Sequence, residues 1–278
     1  MGDRDSFPPV PPPLGAPLVD THTHLDITAA QGQYSVADLL DLAQRCGVTA
    51  VIQVGVDLPS SRWAAAIAEE YPQVWAAVAL HPNEVPALAA GGLLQEALGH
   101  IEELAALPQV RAVGETGLDY FRTDERGRPV QQESFRAHID IAKRYGRTLV
   151  IHDRDAHDDV VRVLLDEGAP ERVVFHCFSG DAAMARICAD NGWFVSFAGV
   201  VSFKNAEPLR EALRVTPGDS LLVETDAPFL TPTPFRGRPN ASYLIGHTVA
   251  SMADTLAMDP IELAGILSAN SERAFGPL

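Results

Sequence analysis

The sequence predicts an α/β fold, a single-domain TIM (β/α)8 barrel. Three observations predict it. Eight short β-branched runs alternate with helical stretches over roughly 250 residues, the usual size of such a barrel. No G-x-G-x-x-G or Walker-type loop follows any strand, which disfavours the doubly wound open sheet. The polar exceptions to the apolar strand pattern fall together at strand C-terminal ends, where barrels of this class carry their chemistry.

The strand candidates are "LVDTHTHL" (18–25), "AVIQVGV" (50–56), "VWAAVAL" (74–80) and "VRAVGETGL" (110–118). They continue with "TLVIHD" (148–153), "RVVFHCF" (172–178), "WFVSFAG" (193–199) and "LLVETDAP" (221–228). Between them, "VADLLDLAQRCG", "LLQEALGHIEELAAL" and "QQESFRAHIDIAKRYG" read as helices. Gly47, Gly146 and Gly192 stand where helices end. After the eighth strand, "TPTPFRGRPNASYL" is a long irregular loop. Two closing helices follow, about 242–257 and 260–269, the second entered through Asp259-Pro260. The barrel domain is placed at residues 17–278. The proline-rich stretch within 1–16, "DSFPPVPPPLGAP", is an extended arm, either wrapped on the barrel or disordered.

Composition narrows the function. No run of about 18 apolar residues exists, so a membrane span is not expected. The N-terminus shows no basic region followed by an apolar stretch, so no secretory signal is read. Cys46, Cys177 and Cys188 have no framework spacing and suit a reducing cytoplasm, the expected location. The net charge of −16 disfavours binding nucleic acid through a broad basic surface. A polyanionic substrate therefore has to be attracted locally, by metal ions or a few arginines.

The chemistry-bearing residues follow from the register. In "LVDTHTHLD", His22 and His24 are two apart, so on a strand both imidazoles face one point. His81 follows the third strand, Glu115 ends the fourth, His152 the fifth, His176 the sixth, and Asp226 the eighth. Imidazoles and carboxylates converging on one end of a barrel make a donor set suited to divalent metals. Without His81, four histidines and two carboxylates from five strands remain, six ligands that exceed what one catalytic ion with an open position takes; they suit two ions about 3.5–4 Å apart that share a carboxylate.

"DTHTHLD", "GETGLDYFR", "IHDRDA", "FHCFSG" and "VETDAPFL" resemble, in order and spacing, the motifs of the TatD family of metal-dependent hydrolases, a branch of the amidohydrolase-like barrels. The resemblance spans nearly all the chain after the arm. It implies a TIM barrel, two divalent ions (Mg, Mn or Zn) and deoxyribonuclease activity at 3′ ends. It makes His22 and His24 ligands of the first ion, completed by Asp226, with Glu115 as the bridge and His152 and His176 on the second ion. Asp226 is also placed to orient or deprotonate the attacking water. His81 is expected beside the scissile phosphate, Arg154 on a phosphate oxygen, and Glu224 as the group that fixes a ligand imidazole. Three departures stand out: Asn83 where the family commonly has a second histidine, Asp153 in "HDRDA", and Thr116 in "GETGLD".

The expected reaction is hydrolysis of DNA phosphodiesters as a 3′–5′ exonuclease on single-stranded ends, through a water activated by two metals. The expected partner is a single-stranded DNA substrate, with no membrane, no obligate protein partner and a monomeric state. The rival within hydrolases is an ester or amide substrate such as a D-aminoacyl-tRNA. The rival outside them is a non-catalytic metal-binding protein. Tyr120 and Phe121 read either as packing aromatics, the favoured reading, or as a base-stacking pair. Lys204, Arg236 and Arg238 read equally as phosphate contacts or solvated surface.

Overall fold

The computed structural model describes residues 6–277. Its strands are β1 (Leu18–Thr23), β2 (Val48–Val54), β3 (Val74–Val78), β4 (Val110–Asp119), β5 (Thr148–Arg154), β6 (Val173–Phe175), β7 (Phe194–Phe197) and β8 (Leu221–Val223). The helices before β5 are α1 (Leu25–Ala30), α2 (Val36–Arg45), α3 (Leu58–Glu70), α4 (Val85–Ala90), α5 (Leu94–Ala105) and α6 (Arg128–Tyr145). Those after it are α7 (His157–Glu167), α8 (Ala182–Asp190), α9 (Glu207–Val215), α10 (Ile245–Leu256) and α11 (Pro260–Phe275). The strands form one sheet in the order β1 to β8. Thr23 bridges Ala227 in parallel, joining the end of β1 to the segment after β8. The fold is a (β/α)8 barrel. Among the described residues no helix is long and apolar enough to cross a membrane.

All eight expected strands form, because parallel strands covered on both faces need continuous apolar runs and the sequence supplies them. Val110, Ala112, Val113, Leu149 and Ile151 are fully buried, as are Val173 and Leu222. Two strands are shorter than their apolar runs suggest: β6 ends at Phe175 and β8 at Val223. Cys177 (φ 41) and Asp226 (φ 53) adopt the left-handed region, which cannot extend a strand. The last helix is longer than expected, running to Phe275 rather than stopping near 269. Asn270 and Ser271 suggest a break, but their side chains are satisfied in place. Asn270 Nδ2 donates to the carbonyls of Gly218 and Leu221, and Ser271 Oγ to that of Leu267.

The chain's contacts gather in two compact units. The first comprises the chain up to Ile52 and Gly180–Arg273. Within it, Ser35 caps α2 in a reciprocal bond with Asp38, worth about 1 kcal/mol. The arm from Ser6 onward packs on this unit. Phe7 is buried with its ring edge-on to Tyr34, the Tyr243 hydroxyl donates to Pro8 O at 2.7 Å, and Arg238 donates to Ser6 O and Phe7 O. Arg238 is thereby an arm anchor, while Arg236 lies over the Phe203 ring. The first five residues of the expected arm, and Leu278, lie outside the described residues.

The second unit is Gln53–Ser179 with Ala274–Gly276. Here β3, β4, β5 and β6 pair in parallel, one after another. The β4–β5 register is interrupted between Val113 and Thr116 and then resumes with Gly117 opposite His152. An irregularity of that kind re-aims a side chain, and the residues inside it are Gly114 and Glu115. Gly117 has φ +136, and a Cβ there would stand 2.1 Å from His152 O, so only glycine lets the two strands approach where His152 sits.

Candidate metal centre

The first unit contributes His22, His24, Glu224 and Asp226. His22 lies on β1 and His24 immediately after it. Asp226 N donates to His22 O at 2.9 Å, and His24 N donates to Ala227 O at 2.8 Å. These backbone bonds lock the end of β1 to the segment that carries Asp226. They set Asp226 Oδ1 at 3.8 Å from His22 Nε2 and 3.5 Å from His24 Nε2. A carboxylate oxygen of Glu224, wholly buried, lies within 4.8 Å of a His22 ring nitrogen.

Beneath them is Asp20, which the sequence reading passed over. It is fully buried and accepts from Thr225 N at 2.8 Å and Thr225 Oγ1 at 2.5 Å. Burial pushes its carboxyl pKa up to about 7, although the bonds from Thr225 work against that rise.

The second unit contributes His81, Glu115, His152 and His176, and three imidazoles gather on one oxygen. Glu115 Oε1 is 2.6 Å from His152 Nδ1, 2.8 Å from His176 Nε2 and 3.4 Å from His81 Nε2. Burial favours the neutral acid at Glu115, but the His176 and His81 charges and the bonds from His152 and His176 outweigh it. Its pKa falls well below the ordinary range. Burial alone would lower His152; its bonds to Asp119 and Glu115 reverse that and raise its pKa.

Asp119 is the second residue the sequence reading missed. It is buried at the end of β4, and its Oδ2 lies 3.2 Å from His152 Nε2. Asn83 Nδ2 donates to the same oxygen at 3.1 Å, and Arg122 N donates to Oδ1 at 2.9 Å. Burial penalises the charge on Asp119, yet the bonds from His152, Arg122 and Asn83 keep its pKa low. Gln131 on α6, wholly buried, accepts from Asp119 N and donates to Pro82 O and Thr123 Oγ1. One glutamine thus ties the loop after β3 to the loop after β4. With Nε2 turned to Asp119, His152 presents Nδ1 to Glu115, an orientation characteristic of metal-ligating histidines held by a carboxylate.

His81 is held differently. Asn83 N donates to its Nδ1 at 3.1 Å, so the neutral ring carries its proton on Nε2. That tautomer offers an N–H toward Glu115 and no lone pair to a cation, so His81 is a hydrogen-bond donor beside the cluster. Arg154, the last residue of β5, lies with its guanidinium 3.9 Å from the centroid of the Phe121 ring. Asp153 holds His157 Nδ1 at 2.7 Å at the start of α7.

The donor chemistry fits divalent metal. His22, His24 and Asp226 offer two nitrogens and an oxygen, and Glu115, His152 and His176 offer the same. His22, His24, His176 and Asp226 sit near or just beyond strand C-termini, the end of a (β/α)8 barrel that carries its chemistry; Glu115 and His152, expected to end their strands, lie four residues before the end of β4 and two before the end of β5.

Comparisons with known proteins identify the family. The family model described as TatD related DNase matches residues 19–276. A metal-dependent hydrolase named TatD from Mycobacterium tuberculosis is 48% identical, covering 93% of this chain and 98% of the relative. The metal-dependent hydrolase YabD of Bacillus subtilis is 39% identical with the same coverage of each chain. The crystal structure of YJJV, a TatD homologue from Escherichia coli, superposes with a TM-score of 0.84 at 28% identity, over 94% of this chain and 98% of that one. The chain belongs to the TatD family of metal-dependent hydrolases.

Proposed function

We propose that this hydrolase is a deoxyribonuclease that removes nucleotides from the 3′ ends of single-stranded DNA, using two divalent ions (Mg, Mn or Zn). The observation that carries the reading is the gathering of three imidazole nitrogens within 3.4 Å of one buried carboxylate oxygen, Glu115 Oε1. His22, His24 and Asp226 would hold one ion, and Glu115, His152 and His176 the other. When bound, such ions neutralise charge developing on phosphate oxygens and make a water nucleophilic at neutral pH.

The chain's own residues supply the remainder. Asp226, fixed by its backbone bond to His22 O, takes the proton of the attacking water. His81 donates its Nε2 proton toward a non-bridging phosphate oxygen, because Asn83 N occupies its Nδ1. Arg154 adds positive charge at the end of β5. Glu224 steadies the His22 ring, and Asp119 steadies that of His152. Local groups thereby answer the net charge of −16, which otherwise repels a polyanion. We place the protein in the cytoplasm as a monomer, with DNA as substrate rather than a protein partner.

The test is hydrolysis of a 5′-labelled single-stranded oligonucleotide by metal-stripped protein reconstituted with Mg²⁺, Mn²⁺ or Zn²⁺, beside a chelator control. A metal-dependent ladder shortening from the 3′ end supports the reading. Intact DNA in every lane, with metal shown to be bound, overturns it and moves the assignment to ester or amide substrates such as D-aminoacyl-tRNA.

A further inference from the structure

The two adjacent aromatics after β4 have opposite surroundings. Tyr120 is committed to the fold: its hydroxyl donates to Asp159 Oδ2 at 2.7 Å and accepts from Gln132 Nε2 at 2.7 Å, and the Arg128 guanidinium covers its ring. Phe121, the next residue, is 62% exposed, more than any other large hydrophobic side chain among the described residues. Leaving a phenyl ring in water forgoes the gain from burying it, so such exposure beside a reaction centre points to a ligand.

The position of that ring is fixed by the centre itself. Asp119, which holds His152, is two residues before Phe121, and its Oδ1 accepts from Arg122 N just after it. Tyr120 N donates to Arg154 O at 2.9 Å, which sets the end of β5 alongside. The Arg154 guanidinium then lies 3.9 Å from the Phe121 centroid. An aromatic ring paired with a guanidinium offers flat, apolar and cationic surface together, which suits a base and the phosphate joined to it. A cleft of about 630 Å³ adjoins the same loop, and Asn83, Arg122, Thr123 and Arg126 help to line it. Asp124, in that wall, has its carboxylate turned to the backbone N–H groups of Arg126 and Gly127.

We propose that Phe121, with Arg154 stacked on it, is the platform on which one unpaired base of a single-stranded DNA substrate stacks, with its phosphate directed toward Glu115 and His81. The proposal rests on the deoxyribonuclease reading and adds the surface that recognises an unpaired base. A paired base offers its neighbours its π-faces and cannot use the platform, so single strands are preferred. Any of the four bases can stack, so the platform carries little sequence preference.

The test separates binding from hydrolysis. Affinity for a fluorescent, phosphorothioate-linked single-stranded oligonucleotide is measured by anisotropy on metal-loaded wild type, Phe121→Ala, Phe121→Leu and Phe121→Trp. Cleavage of the ordinary oligonucleotide is followed in parallel. Loss of one stacked base corresponds to a weakening of roughly 5- to 100-fold. That loss is expected for Phe121→Ala and for Phe121→Leu, which keeps apolar bulk without a π-face, while Phe121→Trp binds at least as tightly as wild type. An abasic site at the stacked position should weaken wild type to the level of Phe121→Ala. Affinities of both Ala and Leu variants within twofold of wild type overturn the platform, as does a wild type that does not bind the strand. Binding that depends on Phe121 without any cleavage keeps the platform and overturns the nuclease reading alone.

Discussion

His22, His24 and Asp226 are positioned by main chain, whereas His152 is positioned by other side chains. In the first unit, reciprocal backbone bonds between the end of β1 and the segment after β8 set the spacing, and the ligand atoms stand 3.5–3.8 Å from Asp226 Oδ1. In the second, Gln131 accepts from Asp119 N, Asn83 Nδ2 donates to the Asp119 carboxylate, and that carboxylate holds His152, whose Nδ1 is 2.6 Å from Glu115. The two clusters are therefore vulnerable at different places. The first should resist changes outside its ligands. The second should be tunable from residues that touch neither metal nor substrate.

The largest expected effect breaks either side of the comparison. Glu115→Ala and Asp226→Ala should each lower metal-dependent turnover by at least about 10²- to 10³-fold, with the far-ultraviolet circular dichroism unchanged. Near-full activity in either variant would show that its cluster is wrongly assigned.

A second effect concerns acid sensitivity of the side-chain-held unit. His138 on α6 is fully buried; Leu80 N donates to its Nε2 at 3.1 Å, and its Nδ1 lies 2.7 Å from Ser134 O. Burial lowers its pKa to about 4 from the ordinary 6.5. Between those values the unfolded chain binds a proton that the folded chain refuses, so stability falls on acidification. This contribution is complete above pH 6.5 and lost as pH drops toward 4. Unfolding free energies of wild type and His138→Gln, read from urea titrations, should therefore converge by up to about 3 kcal/mol across that window. A gap independent of pH would show that His138 is not held neutral.

Smaller changes sharpen the contrast. Asn83→Ala removes one of the bonds on Asp119 and should weaken metal binding at the second cluster several-fold, as read by calorimetry, with the first cluster unaltered. Tyr243→Phe removes the hydroxyl bond to Pro8 O in the first unit. It should cost about 1 kcal/mol, accelerate proteolysis in the arm, and leave both metal affinities as they are.

Much of this was legible in the sequence, for reasons that also mark the limit. The strands announced themselves because a parallel barrel buries both strand faces, so each had to be an apolar run. The shortening of β6 and β8 was not legible, because left-handed backbone at Cys177 and Asp226 carries no compositional sign in residues other than glycine. His22 and His24 were exposed by alternation alone. The same rule could have raised Asp119, four residues past Glu115 in "GETGLD", although the register break at Glu115 makes alternation unsafe there. Gln131 had no local signal, since its partners come from loops brought together only by the fold. For Tyr120 and Phe121 the sequence favours packing and leaves base stacking as the alternative; Tyr120 is bonded into the fold, and Phe121 is exposed.

A calorimetric titration decides whether two metal-binding clusters are present and held by different means. Metal-stripped wild type and Asp119→Asn would each be titrated with Mn²⁺. Two binding events are expected in wild type, and in the variant one event weakened about 10- to 100-fold with the other unchanged. A single event in wild type, or two events that Asp119→Asn leaves equally strong, would contradict that expectation.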